Sequence, residues 1–300
     1  MPDAAAVECH EARPELRRGA QNVVRTCLAA GSDDRAVLIT DEATAPLAAA
    51  VLAELRSAAG ETAVFVLERH GARPLPSLPP ALADALAEAT VSAMMVRPEP
   101  GELRVRAAVV ELVQLHGIRH AHMPGVDREA MVTAMRADYE VGARLQDRLL
   151  DKLAGAEVVS VRTDAGTDLE VALSAKHTWV RSDGLIKPGK PQNLPTGLLQ
   201  TTPESAEGIY VADGAIGDWF GVRYPDLASH PLTVELREGR VRSASCEEQA
   251  LARQLLLYVR SNPNGDRVGE LAVGTNLALE GCLGNVLRDQ NVPGALITLG

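Results

Sequence analysis

Glu270 stands in Val268-Gly-Glu-Leu-Ala-Val-Gly-Thr-Asn276, an apolar run that ends on a turn. A carboxylate in that setting can ligate a divalent cation, meet an amine or act as a general base. Two further segments have a similar mixture of loop and apolar residues: Asn193-Leu-Pro-Thr-Gly-Leu198, and Arg288-Asp-Gln290-Asn-Val-Pro-Gly294-Ala-Leu296 running on to Gly300. His116, His120 and His122 form the histidine cluster of the chain, at spacings of four and two. Such spacings can bring two imidazoles to a metal; the plainer reading is of surface or supporting histidines at a helix end. Ser205 follows Glu204, but Thr-Pro-Glu-Ser is a common turn, and there is no Gly-x-Ser-x-Gly elbow. Neither a phosphate-binding loop nor a dinucleotide fingerprint is present. Cys9, Cys27, Cys246 and Cys282 are too widely spaced for a zinc knuckle or a redox pair.

The elements that must position these groups fall into two textures. In the first half, apolar runs at Ala36–Thr40, Thr62–Leu67 and Thr90–Val96 read as buried strands. They alternate with helical patterns at Glu11–Ala30, Pro46–Ala59, Ala81–Ala89 and Leu103–His116, which favours a parallel sheet with helices on its faces. Asp127 to Ala154 reads as one long helix, capped by Asp127 and stopped by Gly155. Beyond it, Glu157–Thr163 with Thr167–Leu173, and Leu232–Arg237 with Arg240–Ala244, alternate apolar and polar residues around short turns, the signature of hairpins. Glu247–Arg260 is a helix. The expected fold is α/β: an amino-terminal α/β domain over 1–155 with a mainly parallel sheet, then an α+β domain over 156–300 built on antiparallel hairpins.

Loops of the second half are rich in binding chemistry. Ser182–Gly197, Thr201–Ser205 and Asp213–Gly221 carry Asn193, Thr196, Thr201, Glu204, Asp213, Asp218 and Trp219, which with Asn276 and Glu270 form the candidate ligand-binding set. The plain alternative for these segments is a set of ordinary turns.

Asn193–Gly197, Tyr210-Val-Ala-Asp-Gly214, Val268–Asn276 and Asn285-Val-Leu-Arg-Asp289 through Gly300 resemble the motifs of the aminopeptidase T family of metallopeptidases, over roughly residues 155 to 300. The 2,5-dihydroxypyridine dioxygenases share that frame, so the frame alone does not fix the chemistry. The resemblance implies a site for two divalent metals held by carboxylates and histidines, with Glu at the place of Leu198, Glu at the place of Gln290 and His at the place of Leu296. It also implies that these three positions face one pocket, and that a further His-x-Asp pair lies beyond Gly300, so that the chain is short relative to the family. Of the matched positions only Glu270 keeps a ligating side chain. One carboxylate cannot hold a metal, because open catalytic sites use about three protein ligands. Leu at two former ligand positions makes physical sense once a metal is gone, since an unpaired buried carboxylate or imidazole is costly.

Composition narrows the alternatives. A net charge of -10 with no Lys/Arg run argues against nucleic acid and against an anionic membrane surface. No apolar stretch has transmembrane length, the first ten residues lack signal-peptide character, and dispersed cysteines suit a reducing compartment, so a cytoplasmic protein is expected. Hydrophobic residues make up 46% but aromatics only 3%, so Ala, Val and Leu must fill the core. The expected function is a catalytically depleted aminopeptidase T-like protein binding a peptide or amino-acid-like ligand in an inter-domain cleft, as a helper in a biosynthetic pathway, with no cofactor. A homodimer, or a mixed oligomer with an active relative, is the expected assembly. The alternative is an active hydrolase, with a rebuilt zinc, cobalt or manganese site or with Glu270 as general base.

Overall fold

The computed structural model describes residues 2–300. The first half runs α1 (Pro2–Glu8), α2 (Arg17–Gln21), β1 (Arg35–Thr40), α3 (Ala45–Ala58), β2 (Glu61–Val66), α4 (Pro80–Glu88), β3 (Val91–Met95), α5 (Leu103–His116) and β4 (Arg119–His122). Then come α6 (Arg128–Val132), α7 (Tyr139–Leu153), β5 (Val158–Arg162), β6 (Asp168–Leu173), β7 (Val180–Ser182), β8 (Gln192–Asn193), β9 (Leu198–Thr201) and β10 (Pro203–Ala212). The chain ends with α8 (Gly217–Gly221), β11 (Leu232–Arg237), β12 (Arg240–Ser245), α9 (Gln249–Arg260), β13 (Val268–Gly274), α10 (Val286–Asp289) and β14 (Gly294–Leu299). Among the described residues no helix is long and apolar enough to cross a membrane.

Two compact units emerge: residues 1–143 with 182–196, and residues 144–181 with 197–300. The first contains a parallel sheet in the order β2-β1-β3-β4-β8. Its central strands are near-continuous apolar runs because helices cover both faces. On one face Val37, Ile39 and Met94 pack against Leu82 and Leu86 of α4 and Val105, Val109 and Val113 of α5. The parallel sheet is the one expected from the alternation of apolar runs and helical patterns.

Three details differ from the sequence reading. The helical pattern over 127–154 is two helices, not one. Asp127 caps α6 by accepting from Ala130 N at 2.7 Å, and Asp138 caps α7 by accepting from Val141 N at 2.9 Å. Between them Thr133 leaves helical geometry, at φ -117° and ψ -86°. Likewise, the pattern over 11–30 divides into α2 and a π-helical continuation, Asn22–Cys27, which follows a short 3-10 turn at Pro14–Leu16. The Asn22 amide on that continuation donates to the carbonyls of Met135 at 2.6 Å and Ala137 at 2.9 Å.

The change of unit falls inside α7 rather than near residue 155, and Ser182–Thr196 returns to the first unit. There β8 adds to β4, pairing Ala121 with Gln192 and His122 with Asn193. Gly184 makes the return possible: its φ is +80°, and a Cβ there would lie 2.3 Å from Cδ1 of the buried Tyr139 ring. Only a residue without a side chain can pass so close in that conformation.

The second unit holds two antiparallel sheets, in the orders β12-β11-β10-β6-β5 and β14-β13-β9-β7. The β5–β6 and β11–β12 hairpins are those expected from alternation. Leu169, Val171, Leu232, Val234 and Leu236 of the larger sheet pack with Leu251 and Leu255 of α9 and Leu271 of β13.

Candidate functional site

The smaller sheet of the second unit positions the matched residues. Antiparallel register sets Glu270 opposite Thr298, Ala272 opposite Leu296 and Gly274 opposite Gly294. On the other side of β13, Ala272 stands opposite Gln200 and Gly274 opposite Leu198. Side chains alternate along a strand and directly opposed residues share a face. Leu198, Gln200, Glu270, Leu296 and Thr298 therefore project from one face of this sheet. The other face sends Leu271, Ile297 and Leu299 into the unit's core. The motifs do not single out Gln200 or Thr298, although a step of two from Leu198 and Leu296 names both.

Glu270 sits at a local irregularity. The β13–β14 register shifts between Val268 and Glu270, the kind of bulge that re-aims a side chain. Thr298 Oγ1 donates weakly to Glu270 Oε1 at 3.4 Å. Burial raises the carboxyl's pKa above its ordinary value, and the Thr298 bond opposes the shift with a smaller effect. Among the described residues no cation contributes to that shift, and a half-buried carboxylate in such a setting gains from a positively charged partner.

The three motifs interlock where β13 ends. Thr275 N donates to Gly197 O at 2.7 Å, and Asn276 N donates to Asn291 O at 3.1 Å. A Cβ on Gly197, at φ +145°, would meet Asn276 N at 2.8 Å, so glycine is required there. Leu198 and Gln290 are thus chain neighbours of residues bonded to one turn. The loop into α10 is fixed by Asp289, which accepts from Leu283 N, Gly284 N and Asn285 N through one oxygen and from Arg288 Nη1 at 2.6 Å through the other.

This donor set does not fit a divalent cation. The four matched positions supply one carboxylate, one neutral amide and two hydrocarbon side chains. Among the described residues no group of three or more His, Cys, Asp or Glu side chains is arranged to hold a metal ion. In the first unit His116 is exposed, while His120 Nε2 and His122 Nδ1 face each other at 3.2 Å in a hydrogen bond.

The remaining candidates divide by element. Asn193 and Thr196 belong to the first unit, where Thr196 Oγ1 donates to Ser182 O at 3.1 Å. Thr201 is buried and donates to Thr178 O at 3.4 Å, and Asn276 is buried with its side-chain oxygen accepting from Ala278 N at 3.2 Å. These three hydroxyl and amide groups serve the backbone. Glu204 lines a surface cavity of about 480 Å³ with Lys176, His177 and Arg267, residues that sequence reasoning passed over because they are scattered singly. Asp213 is exposed at the turn after β10, and a Cβ on the adjoining Gly214 would lie 3.1 Å from Cys282 Sγ, so this turn abuts the loop before α10. Trp219 on α8 is 74% exposed and stacks on Tyr258 at 6.2 Å between ring centroids. The Asp218 side chain lies outside the described residues.

No protein-family model matches the chain, and no curated protein sequence matches it. Solved structures do. Wild-type AmpT from Thermus thermophilus superposes with a TM-score of 0.63 at 17% identity, over 95% of this chain and 85% of that one. The 2,5-dihydroxypyridine dioxygenase from Pseudomonas putida KT2440 superposes with a TM-score of 0.59 at 18% identity, over 86% of this chain and 76% of that one. The fold is therefore aminopeptidase T-like, and a fold shared with a dioxygenase does not by itself fix the chemistry.

Proposed function

We propose that this chain is a non-catalytic, aminopeptidase T-like binding protein whose ligand is a peptide or amino-acid-like molecule with a free amino group and an aliphatic side chain. The observation that carries the reading is the shared sheet face: among the described residues of β9, β13 and β14 on that face, Glu270 is the one ionisable group, and Leu198 and Leu296 share the face with it. An ammonium meets the carboxylate while hydrocarbon lies against the partly exposed Leu296. The raised pKa of Glu270 supports this, since a cation restores the stabilisation that burial removes. No step runs through a metal, because the residues at the matched positions do not fit one. Self-association as a dimer and a helper's place in a biosynthetic pathway belong to the same reading.

The test is calorimetric titration with a panel of leucine-bearing dipeptides and their N-acetylated forms. Free amines are expected to bind, while acetylation and Glu270→Gln each weaken binding by about 1–3 kcal/mol, the range for a charge-assisted hydrogen bond at a half-buried carboxylate. Equal affinity for the acetylated forms, or no binding across the panel, would sink the proposal.

A hydrolase using Glu270 as general base is the second reading, favoured by the same upward shift, since a base works best with a pKa near the working pH. Hydrolysis of aminoacyl anilides lost by roughly two to four orders of magnitude in Glu270→Gln would bring it forward. Near-stoichiometric metal, measured after dialysis against zinc, cobalt and manganese, would instead favour a rebuilt metal site.

A further inference from the structure

On the face of the parallel sheet that α4 and α5 cover, a polar file runs beside the apolar core. Ser92 pairs with His120 in register and Met94 with His122, so Ser92, His120 and His122 stand on the same face. Ser92 Oγ lies 2.8 Å from His120 Nδ1, and His120 Nε2 lies 3.2 Å from His122 Nδ1. Ser92 and His120 are fully buried, and His122 is partly exposed at the carboxyl end of β4.

The file has a direction. A buried hydroxyl must donate to something, and His120 Nδ1 is the acceptor beside Ser92. His120 then carries its proton on Nε2 and donates it to His122 Nδ1. This leaves His122 with its proton on Nε2, a donor at the open end of the file. Near it is Arg106, in the first turn of α5, whose Nε is buried and has no hydrogen-bond partner among the described residues. Burial and then the Arg106 charge push the His122 pKa down to about 4, so the ring is neutral at physiological pH and the guanidinium's charge stands uncompensated by it. Asn193 is opposite His122 on β8 and exposed, so its amide stands on the same face beside the opening. The amino-terminal end of α5 adds positive potential at the same place.

We propose that the carboxyl end of β4 holds a binding site for a small carboxylate, gripped between Arg106 Nε–H and His122 Nε2–H with the Asn193 amide at its mouth. Parallel sheets bind ligands at the carboxyl ends of their strands, and β4 ends on His122 with Asn193 opposite it and the Arg106 charge acting on its ring. Two N–H donors from separate groups match the two oxygens of a carboxylate, and a single negative charge balances a single guanidinium. A phosphate dianion would bring a second charge with no partner. The inference stands apart from the Glu270 reading, because it concerns the first unit and its ligand needs no amine.

The experiment is NMR of the full chain with nitrogen-15-labelled histidine, titrated with acetate against chloride at constant ionic strength and neutral pH. Acetate carries no amine and so does not probe Glu270. A saturable movement of the His122 ring signals is expected. Arg106→Gln is expected to weaken acetate by about tenfold to a hundredfold, as loss of a charge-assisted hydrogen bond does. Arg106→Lys, which retains the charge but not the planar fork, is expected to weaken it in the same direction. Absence of a saturable shift overturns the proposal. So does unchanged affinity in a natively folded Arg106→Gln protein. Phosphate binding more tightly than acetate overturns it as well, since that ordering is simple charge attraction.

Discussion

Replacing Arg73 with Met is expected to unfold the first unit far more easily while leaving the second largely untouched. Arg73 is 6% exposed and lies between two carboxylates that are themselves 0% and 3% exposed, Asp41 and Glu102. Its Nη1 donates to Asp41 Oδ2 at 2.5 Å, its Nη2 to Glu102 Oε2 at 2.5 Å and to Arg97 O at 2.7 Å, and its Nε to Glu102 Oε1 at 3.0 Å. Further bonds complete the carboxylates: Arg97 N at 2.6 Å and Thr44 N at 2.7 Å on Asp41, and Leu75 N at 2.8 Å on Glu102. Taking away the one cation leaves two buried negative charges facing each other, which costs about 3–5 kcal/mol. At roughly 2–4 °C per kcal/mol for a domain of this size, the melting temperature should fall by roughly 6–20 °C.

The assay separates the units by their chromophores. Trp179 and Trp219 are the two tryptophans of the chain and both lie in the second unit, so tryptophan fluorescence reports that unit, whereas far-ultraviolet circular dichroism reports both. In urea the dichroism transition should move to lower denaturant, and amides of β1 and β3 should exchange faster. Adding Asp41→Asn and Glu102→Gln to Arg73→Met should recover much of the loss, because the harm lies in the unpaired charges rather than in the missing bonds. A single variant within about 0.5 kcal/mol of the native protein, the range of ordinary surface substitutions, would refute the reasoning. A triple variant less stable than the single one would refute it equally.

Glu270→Gln should stabilise the second unit at neutral pH. The carboxyl's folded pKa lies above its ordinary 4.5, so ionising it opposes folding as pH rises through the folded value, and the gain from Gln should vanish below pH 4.5, as urea midpoints across that range will show. His120 and His122, with pKa values pushed from 6.5 to about 3 and about 4, chiefly by burial, should destabilise the first unit in acid. Their unfolded forms bind protons that the folded forms refuse, so stability is full above pH 6.5 and falls as pH drops toward the folded values, at about 1.4 kcal/mol per unit for each ring. Replacing His122 with Gln should flatten that pH profile, and a slope unchanged by the substitution would count against the buried neutral ring.

How far the sequence reveals this molecule depends on whether the determining contacts are local. The strands of the parallel sheet are legible because each is an apolar run with helical patterns between, and the hairpins because apolar and polar residues alternate around short turns. The break between α6 and α7 is hidden because the apolar period continues across it. Asp138 is a second amino-terminal cap that resembles an ordinary helix-surface acid until its bond to Val141 N is seen. The return of Ser182–Thr196 to the first unit depends on the fit of Gly184 against Tyr139, residues distant in sequence. At the candidate site, Glu270, Leu198 and Leu296 are named by motif, but their common face follows from the registers of β9, β13 and β14. The Arg73 network has no motif at all, since Asp41, Arg73 and Glu102 are separated by whole elements.

That network also bears on where a ligand can go. In the strand order β2-β1-β3-β4-β8 the chain builds outward in both directions from β1 and β3, so the crevice at their carboxyl ends is the place where open parallel sheets usually take a ligand. Asp41 follows β1 and Arg97 follows shortly after β3, and the Arg73 guanidinium is bonded to the Asp41 carboxylate and the Arg97 carbonyl there. The unit's polar chemistry is displaced one strand along, to His122 and Arg106. In the second unit the energetics run the other way. Glu270 lies half-buried on a face with leucines at two other matched positions, and no cation of the described residues stands beside it. A hydrocarbon side chain there would remove a destabilising charge, so Glu270→Leu should raise stability at neutral pH even more clearly than Glu270→Gln. A group that weakens the empty protein acquires a return only when a partner arrives. If Glu270→Leu raises the melting temperature and abolishes amine binding together, the carboxylate is there for the ligand; if it raises the melting temperature and leaves binding intact, the proposed role of Glu270 fails.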